Sequence, residues 1–176
     1  MKWITSDGGP LICIGQSTVN SWRGIDGLGQ YGSKLGAYRN DYERACAIRD
    51  YVGIIPVSER FGIVLGDMPL ETTVMMSPER SPLIVRAFYS EPNADIASMI
   101  ASWRMEKRLK EVESVRVSNV EANWYMFDSA YPGYLGLEKC LTFTLPINTI
   151  IINTFEFKPD HNTFLLVHEF VAEHAQ

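Results

Sequence analysis

The spacing of the apolar segments constrains this chain more than any other feature. Val52 to Val57, Gly62 to Leu65, Leu70 to Met76 and Leu83 to Tyr89 are short runs rich in Val, Ile, Leu and aromatic residues, parted by Gly, Pro and charged residues. Runs of this kind are predicted strands. The intervals between them are too short for crossover helices, so the strands are expected to be mostly antiparallel. The pattern returns over Val112 to Val117, Trp124 to Phe127 and Cys140 to Leu145. Thr149 to Phe157 and Phe164 to Val171 are predicted as a closing hairpin, joined through Lys158-Pro159-Asp160-His161-Asn162. At the other end, Trp3 to Ser6 and Leu11 to Ile14 flank Asp7-Gly8-Gly9-Pro10 and predict an N-terminal hairpin, because Gly supplies positive φ and Pro cannot extend a ladder.

One long segment has a helical period instead. Ile96, Met99, Ile100 and Trp103 fall at i, i+3, i+4 and i+7, which predicts an amphipathic helix from Pro92 to roughly Arg108 with Ser90 as a candidate cap. Asp41 to Ile48 predicts a short helix. Residues 15–40 are polar and Gly-rich and read as a long loop with a helical turn near Trp22. Ser129 to Tyr134 reads as a tight loop. The expected class is α+β: a mostly antiparallel, twisted β-sheet with one main helix (about 92–108) packed on a face. With 176 residues, 46% of them hydrophobic, the chain can build a core without a disulfide or metal staple. No repeat or composition shift marks a boundary, so a single domain over 1–176 is expected.

Charge narrows the classes of function. The net charge is −5, which argues against a general nucleic-acid binder. Residues 1–88 balance at 9 Lys+Arg and 9 Asp+Glu, whereas residues 89–176 hold 7 and 12, so the acidic excess lies in the second half of the sequence. Such an excess serves solubility or offers an acidic face to a basic partner. Asp7 to Pro10 interrupts any secretory h-region, and no run approaches the roughly 20 apolar residues of a membrane helix. Cys13, Cys46 and Cys140 are odd in number and widely spaced, the pattern of reduced thiols in a cytosolic protein.

The motifs that would carry chemistry are incomplete. Gly27-Leu28-Gly29-Gln30-Tyr31-Gly32 matches G-x-G-x-x-G literally, but neither a strand before it nor a helix after it is predicted. It also lacks a GK[ST] ending, since Ser33-Lys34 stands in reversed order. His168-Glu169 with His174 is HExxxxH, not HExxH. On a helix those imidazoles diverge by about 120°, and on a strand they lie ~20 Å apart, so one zinc cannot take both. The three histidines all follow residue 160, and Ser129 beside Asp128 is not in a G-x-S-x-G elbow. Arg104 to Lys110 is a basic helix end that suits the macrodipole. No catalytic residue, metal ligand or cofactor site is therefore assigned. Tyr131 and Tyr134, near Asp128 and Glu138, have the composition of a binding hot spot, and equally that of a structural tyrosine loop.

Several motifs occur in a definite order. Trp3-Ile4-x-Ser6-x-Gly8-Gly9-Pro10-Leu11-Ile12 opens the chain, and Trp22-Arg23-Gly24 follows. Next come Asp41-Tyr42-x-x-Ala45-Cys46, Asp50-Tyr51-x-Gly53-Ile54-Ile55-Pro56-Val57 and Val64-Leu65-Gly66-Asp67-x-Pro69. The second half carries Phe127-Asp128-Ser129-Ala130-Tyr131-Pro132-Gly133. This order resembles the immunity protein 21 family of bacterial polymorphic toxin systems, from Trp3 to about Phe170, with the Gly-rich stretch 27–36 outside the matched motifs. The resemblance implies a mostly β fold and a cytoplasmic protein, encoded beside a toxin, that binds the toxin and protects the producing cell or its kin. It implies no catalysis, cofactor or metal; the charge and the run lengths above are the grounds for expecting no nucleic-acid and no membrane partner. On that reading, Asp128, Tyr131, Tyr134 and Glu138 are the candidate toxin contacts. A small enzyme or ligand-binding domain is the alternative, and it requires a deep pocket with convergent polar groups.

Overall fold

The computed structural model describes residues 1–27, 38–66, 71–77, 81–101, 103 and 109–173. Its strands form two five-stranded antiparallel sheets where the sequence predicted one. By contacts the chain divides into two compact units. One comprises Ile4–Pro69 and Glu121–Thr144, the other Met1–Trp3, Leu70–Val120 and Leu145–Gln176.

The first unit is organised by β1 (Leu11–Gly15), buried at all five positions. A strand with no polar alternation needs cover on both faces and a partner on both edges. It pairs with β3 (Arg60–Leu65) on one side and β7 (Asn123–Asp128) on the other. β2 (Val52–Val57) and β8 (Leu141–Thr144) complete the order β2-β3-β1-β7-β8. The predicted N-terminal hairpin does not form, because both edges of β1 are already taken. Asp7 to Pro10 is instead a turn closed by Ser6 Oγ donating to the Gly9 carbonyl at 2.5 Å.

Ile12, Ile14, Val64, Ile55, Val57 and Phe127 share one face of this sheet, as period-two alternation requires. Val19, Trp22 and Ala45 pack on that face. Trp22 lies between 3-10 turns at Val19–Ser21 and Gly24–Asp26, where the sequence predicted a helical turn. Ala45 lies on α1 (Asp41–Cys46), whose cap Asn40 accepts from the Glu43 amide at 2.8 Å. Asp41 pairs with Arg44 at 2.7 Å in a buried position, and Arg44 also donates to the Pro56 carbonyl. The G-x-G-x-x-G stretch beyond Gly27 lies outside the described residues.

In the second unit β4 (Glu71–Met76), β5 (Pro82–Tyr89), β10 (Phe164–Ala172), β9 (Asn148–Phe157) and β6 (Leu109–Val120) stand in that spatial order. The predicted closing hairpin is present, with Leu165 opposite Phe157 and His168 opposite Thr154. α2 (Ile96–Ala101) presents Ile96, Met99, Ile100 and the following Trp103 to Leu83, Val85, Phe157, Leu165 and Val167. The predicted apolar stripe therefore covers one face of this sheet. The helix begins later than Pro92: Asp95 accepts from the Ser98 amide at 3.1 Å and does the capping expected of Ser90. Residue 102 and residues 104–108, which hold most of the basic stretch, lie outside the described residues, as does His174.

The opposite face of the same sheet is polar in part. Arg86, Thr154 and His168 are buried there, and the Thr154 hydroxyl lies 3.0 Å from His168 Nδ1. Burial, and then the charge of Arg86, hold the His168 pKa well below the ordinary 6.5.

Two outcomes follow. Phe127→Ala is expected to cost about 3–5 kcal/mol in urea unfolding, the range for a large ring removed from a filled core. His168 stays neutral in the native state at pH values where the unfolded chain binds a proton. Its contribution is therefore present above pH 6.5 and lost as pH falls below it. His168→Gln should flatten the decline in unfolding free energy between about pH 6.5 and 5; an unchanged slope would assign the acid sensitivity to other groups.

Candidate functional site

The register of β1 against β7 places Asp128 opposite Leu11, at the strand end beside the Asp7–Pro10 turn. Asp128 is buried, and both of its carboxylate oxygens accept backbone amides. Asp7 N donates to Oδ2 at 2.7 Å, and Ala130 N donates to Oδ1 at 2.9 Å in an Asx turn. Of the four candidate contact residues, Asp128 is thus the one turned inward, where it clamps the turn to the tyrosine loop.

The remainder of the loop is pinned from several sides. Ser129 donates to the Pro10 carbonyl through its amide at 3.1 Å and its hydroxyl at 2.6 Å. Trp22 Nε1 donates to the Ser129 carbonyl at 3.0 Å, Ile25 N to the Ala130 carbonyl at 3.0 Å, and Gly133 N to the Trp22 carbonyl at 2.9 Å. Gly24, at φ 55, has its α-carbon so close to Ala130 and Tyr131 that a side chain would strike their backbone. These bonds tie the loop to the Asp7–Pro10 turn and to the segment from Trp22 to Ile25.

After Pro132 comes a short helix, α3 (Gly133–Gly136), which extends as a 3-10 turn over Leu137–Lys139. It was not legible as a helix because two of its four residues are glycine, each about 1 kcal/mol worse than Ala. The glycines face inward. A Cβ at Gly133 would meet the Val19 carbonyl, and one at Gly136 would meet the Phe127 ring. Since the smallest residues make the buried face, the large side chains are directed to water. Tyr134 is 55% exposed and Leu135 41%. Tyr131 precedes the helix at 37%, and Glu138 is exposed one turn beyond Tyr134. Ile25, whose backbone abuts the loop, is 59% exposed. The outward direction of Tyr134 and Leu135 follows from the inward packing of the two glycines.

The Tyr131 hydroxyl donates to Asp7 Oδ2 at 2.8 Å. That hydrogen bond, then the charge of Asp7, raises the Tyr131 pKa above 10, so the phenol stays neutral and in place through the physiological range. Asp7, Asp26 and Glu138 are exposed, as are Arg23 and Lys139. The unit holding this surface carries 10 Asp+Glu and 7 Lys+Arg, net −3, and the other carries 11 and 9, net −2. The acidic excess of the second sequence half is thus divided between the two units, because each unit is assembled from both halves.

Ile25 and Leu135 were not among the residues singled out from sequence. Ile25 stands alone in a polar stretch, and only the i, i+3 glycines at 133 and 136 hint that Leu135 faces out. Among the described residues no group of three or more His, Cys, Asp or Glu is placed to hold a metal ion, and no helix is long and apolar enough to cross a membrane. His161 lies exposed in the β9–β10 turn, whereas His168, on β10, is buried.

Asp128→Ala strips two part-buried amides of their acceptor. It should lower the unfolding free energy by about 1–3 kcal/mol. Urea denaturation checks this; a loss under about 0.5 kcal/mol would show that water replaces the carboxylate.

No curated protein matches the chain, and no solved structure matches it. A family model described as Immunity protein 21 matches residues 2–163 of the 176. That match takes in the β1–β7 pair, the Asp128 clamp, α3 and most of the second sheet, so the chain belongs to the immunity protein 21 family.

Proposed function

We propose that the protein binds a cognate bacterial toxin domain and neutralises it, protecting the producing cell or its kin. Family membership supports the toxin partner, and the observation that carries a binding role is α3, with glycines inward and Tyr134 and Leu135 outward. On this reading the whole chain, 1–176, acts as one immunity-protein domain. It works in the cytoplasm, with the toxin encoded by a neighbouring gene of a polymorphic toxin system. It acts by contact and not by catalysis, and it uses no cofactor, nucleic acid or membrane.

The contact region contains Tyr131, Tyr134 and Glu138, with Asp128 behind them as the clamp. A tyrosine held by its neighbours loses little conformational freedom on binding, which is the physical merit of an aromatic anchor on a fixed loop.

Co-expression with the toxin domain of the adjoining gene tests the reading. Survival of the host, and a complex stable at micromolar concentration, are expected. A toxin that still kills, with no complex formed, overturns the reading. Tyr131→Ala should weaken the complex by at least about fivefold; unchanged affinity removes Tyr131 from the contact set.

A further inference from the structure

We infer that β8 is an edge for a second copy of this chain: two molecules pair antiparallel through Leu141–Thr144 about a two-fold axis at Phe143, and their first-unit sheets become one continuous sheet. This edge is separate from the tyrosine surface, and its pairing does not depend on the toxin reading.

The direction of each main-chain group follows from the register. In an antiparallel sheet, alternate residues of a strand bond to opposite neighbours. The Gln16 amide donates to the Asn123 carbonyl at 2.9 Å and the Ser129 amide to the Pro10 carbonyl at 3.1 Å, so the odd-numbered residues of β7 bond toward β1. Trp124 and Met126 therefore bond toward β8, where they stand opposite Phe143 and Leu141. That leaves Thr142 and Thr144 with their amides and carbonyls turned away from the sheet. Both residues are exposed, and among the described residues no bond reaches these outward groups.

The other outer strands carry devices that discourage strand addition. On β2 the Tyr51 carbonyl accepts from Gly66 at 2.9 Å, which turns Pro56 outward; Pro56 has no amide, and Arg44 occupies its carbonyl. β6 is charged along its length and has register shifts at Glu111/Glu113 and Val117/Val120. The N-terminal segment is tied to β4, where the Thr73 hydroxyl donates to the Lys2 carbonyl at 2.7 Å. β8 is uncharged, regular in register and without proline, and only its length of four residues restrains it. Such an edge takes an extended strand whose own outer edge is open, and β8 of a second copy is one. About a two-fold axis at Phe143, the Thr142 amide donates to the carbonyl of the partner's Thr144, and the Thr144 amide to that of the partner's Thr142. Every outward group is then satisfied, threonine faces threonine, and no like charges stand opposite, which matters for two copies of net charge −5. A strand about 13 Å long buries well under the ~1,200 Å² of a stable interface, so the pair is a weak one that forms at roughly 0.1–1 mM.

Two measurements on the full chain test the pairing. Sedimentation equilibrium from about 5 μM to 1 mM should show a monomer passing into a dimer. Amide hydrogen exchange by NMR should slow at Thr142 and Thr144 by at least about twofold over the same range. Thr142→Lys combined with Thr144→Lys sets lysines opposite one another and should weaken the dimer at least about tenfold. Thr142→Glu combined with Thr144→Lys sets unlike charges opposite and should restore it. Ile54→Lys, an exposed change on β2 at the far edge of the sheet, should leave it intact. Circular dichroism and thermal unfolding verify that each variant is folded. A monomer up to about 1 mM overturns the pairing, as does a dimer that the paired lysines leave undiminished. Failure of the Glu/Lys chain to recover overturns the two-fold at Phe143. Slow exchange of both amides already at about 5 μM shows the edge covered within one chain and overturns the proposal. Slowing that appears only on addition of the toxin domain encoded by the adjoining gene overturns it in favour of a toxin strand.

Discussion

Leu11–Gly15 has no polar face to offer water, and this requirement shapes the first unit. With both edges of β1 occupied, β7 is drawn beside it from more than a hundred residues away, and the register sets Asp128 against Leu11. The carboxylate then stands within reach of the Asp7 amide on one side and the Ala130 amide on the other. The surface that carries the functional reading is therefore a by-product of burying one apolar strand. Loss of that strand's placement would scatter Asp7, Asp128 and Tyr131, which are distant in sequence and share no local signal.

The inversion at α3 depends on the same frame. A four-residue helix with two glycines has no stability of its own. It exists because Val19 and Phe127 offer a surface flat enough for glycine backbone and too close for anything larger. Close approach on the inner side leaves Tyr134 and Leu135 no place but the outer one. The usual correlation between apolar character and burial fails here for a steric reason, at the part of the molecule proposed above for partner binding.

Much of the secondary structure was legible in the sequence, and the errors have physical causes. The stripe Ile96, Met99, Ile100, Trp103 marked the helix face correctly, because a period of 3.6 is a local property. Its start was misplaced because Ser90 and Asp95 are both competent caps, and only the folded chain chooses between them. The N-terminal hairpin was expected from a good turn between two apolar runs, and it lost to two better partners for Leu11–Gly15. Of the candidate contact residues, Tyr131, Tyr134 and Glu138 are exposed and Asp128 is buried, and no periodicity shows which carboxylate will cap two amides.

The sequence by itself determined the antiparallel character of the strands, the apolar face of α2 and the family. Each is written in local spacing or in the order of motifs along the chain. Only the tertiary structure decided that the strands form two sheets, that Ile25 joins the loop at residue 130, and that the acidic excess is shared between the units. Those outcomes depend on which distant segments pair. Pairing is settled by competition among strands for the edges and faces of β1 and of the β5–β10–β9 core, a competition that no single stretch of sequence records.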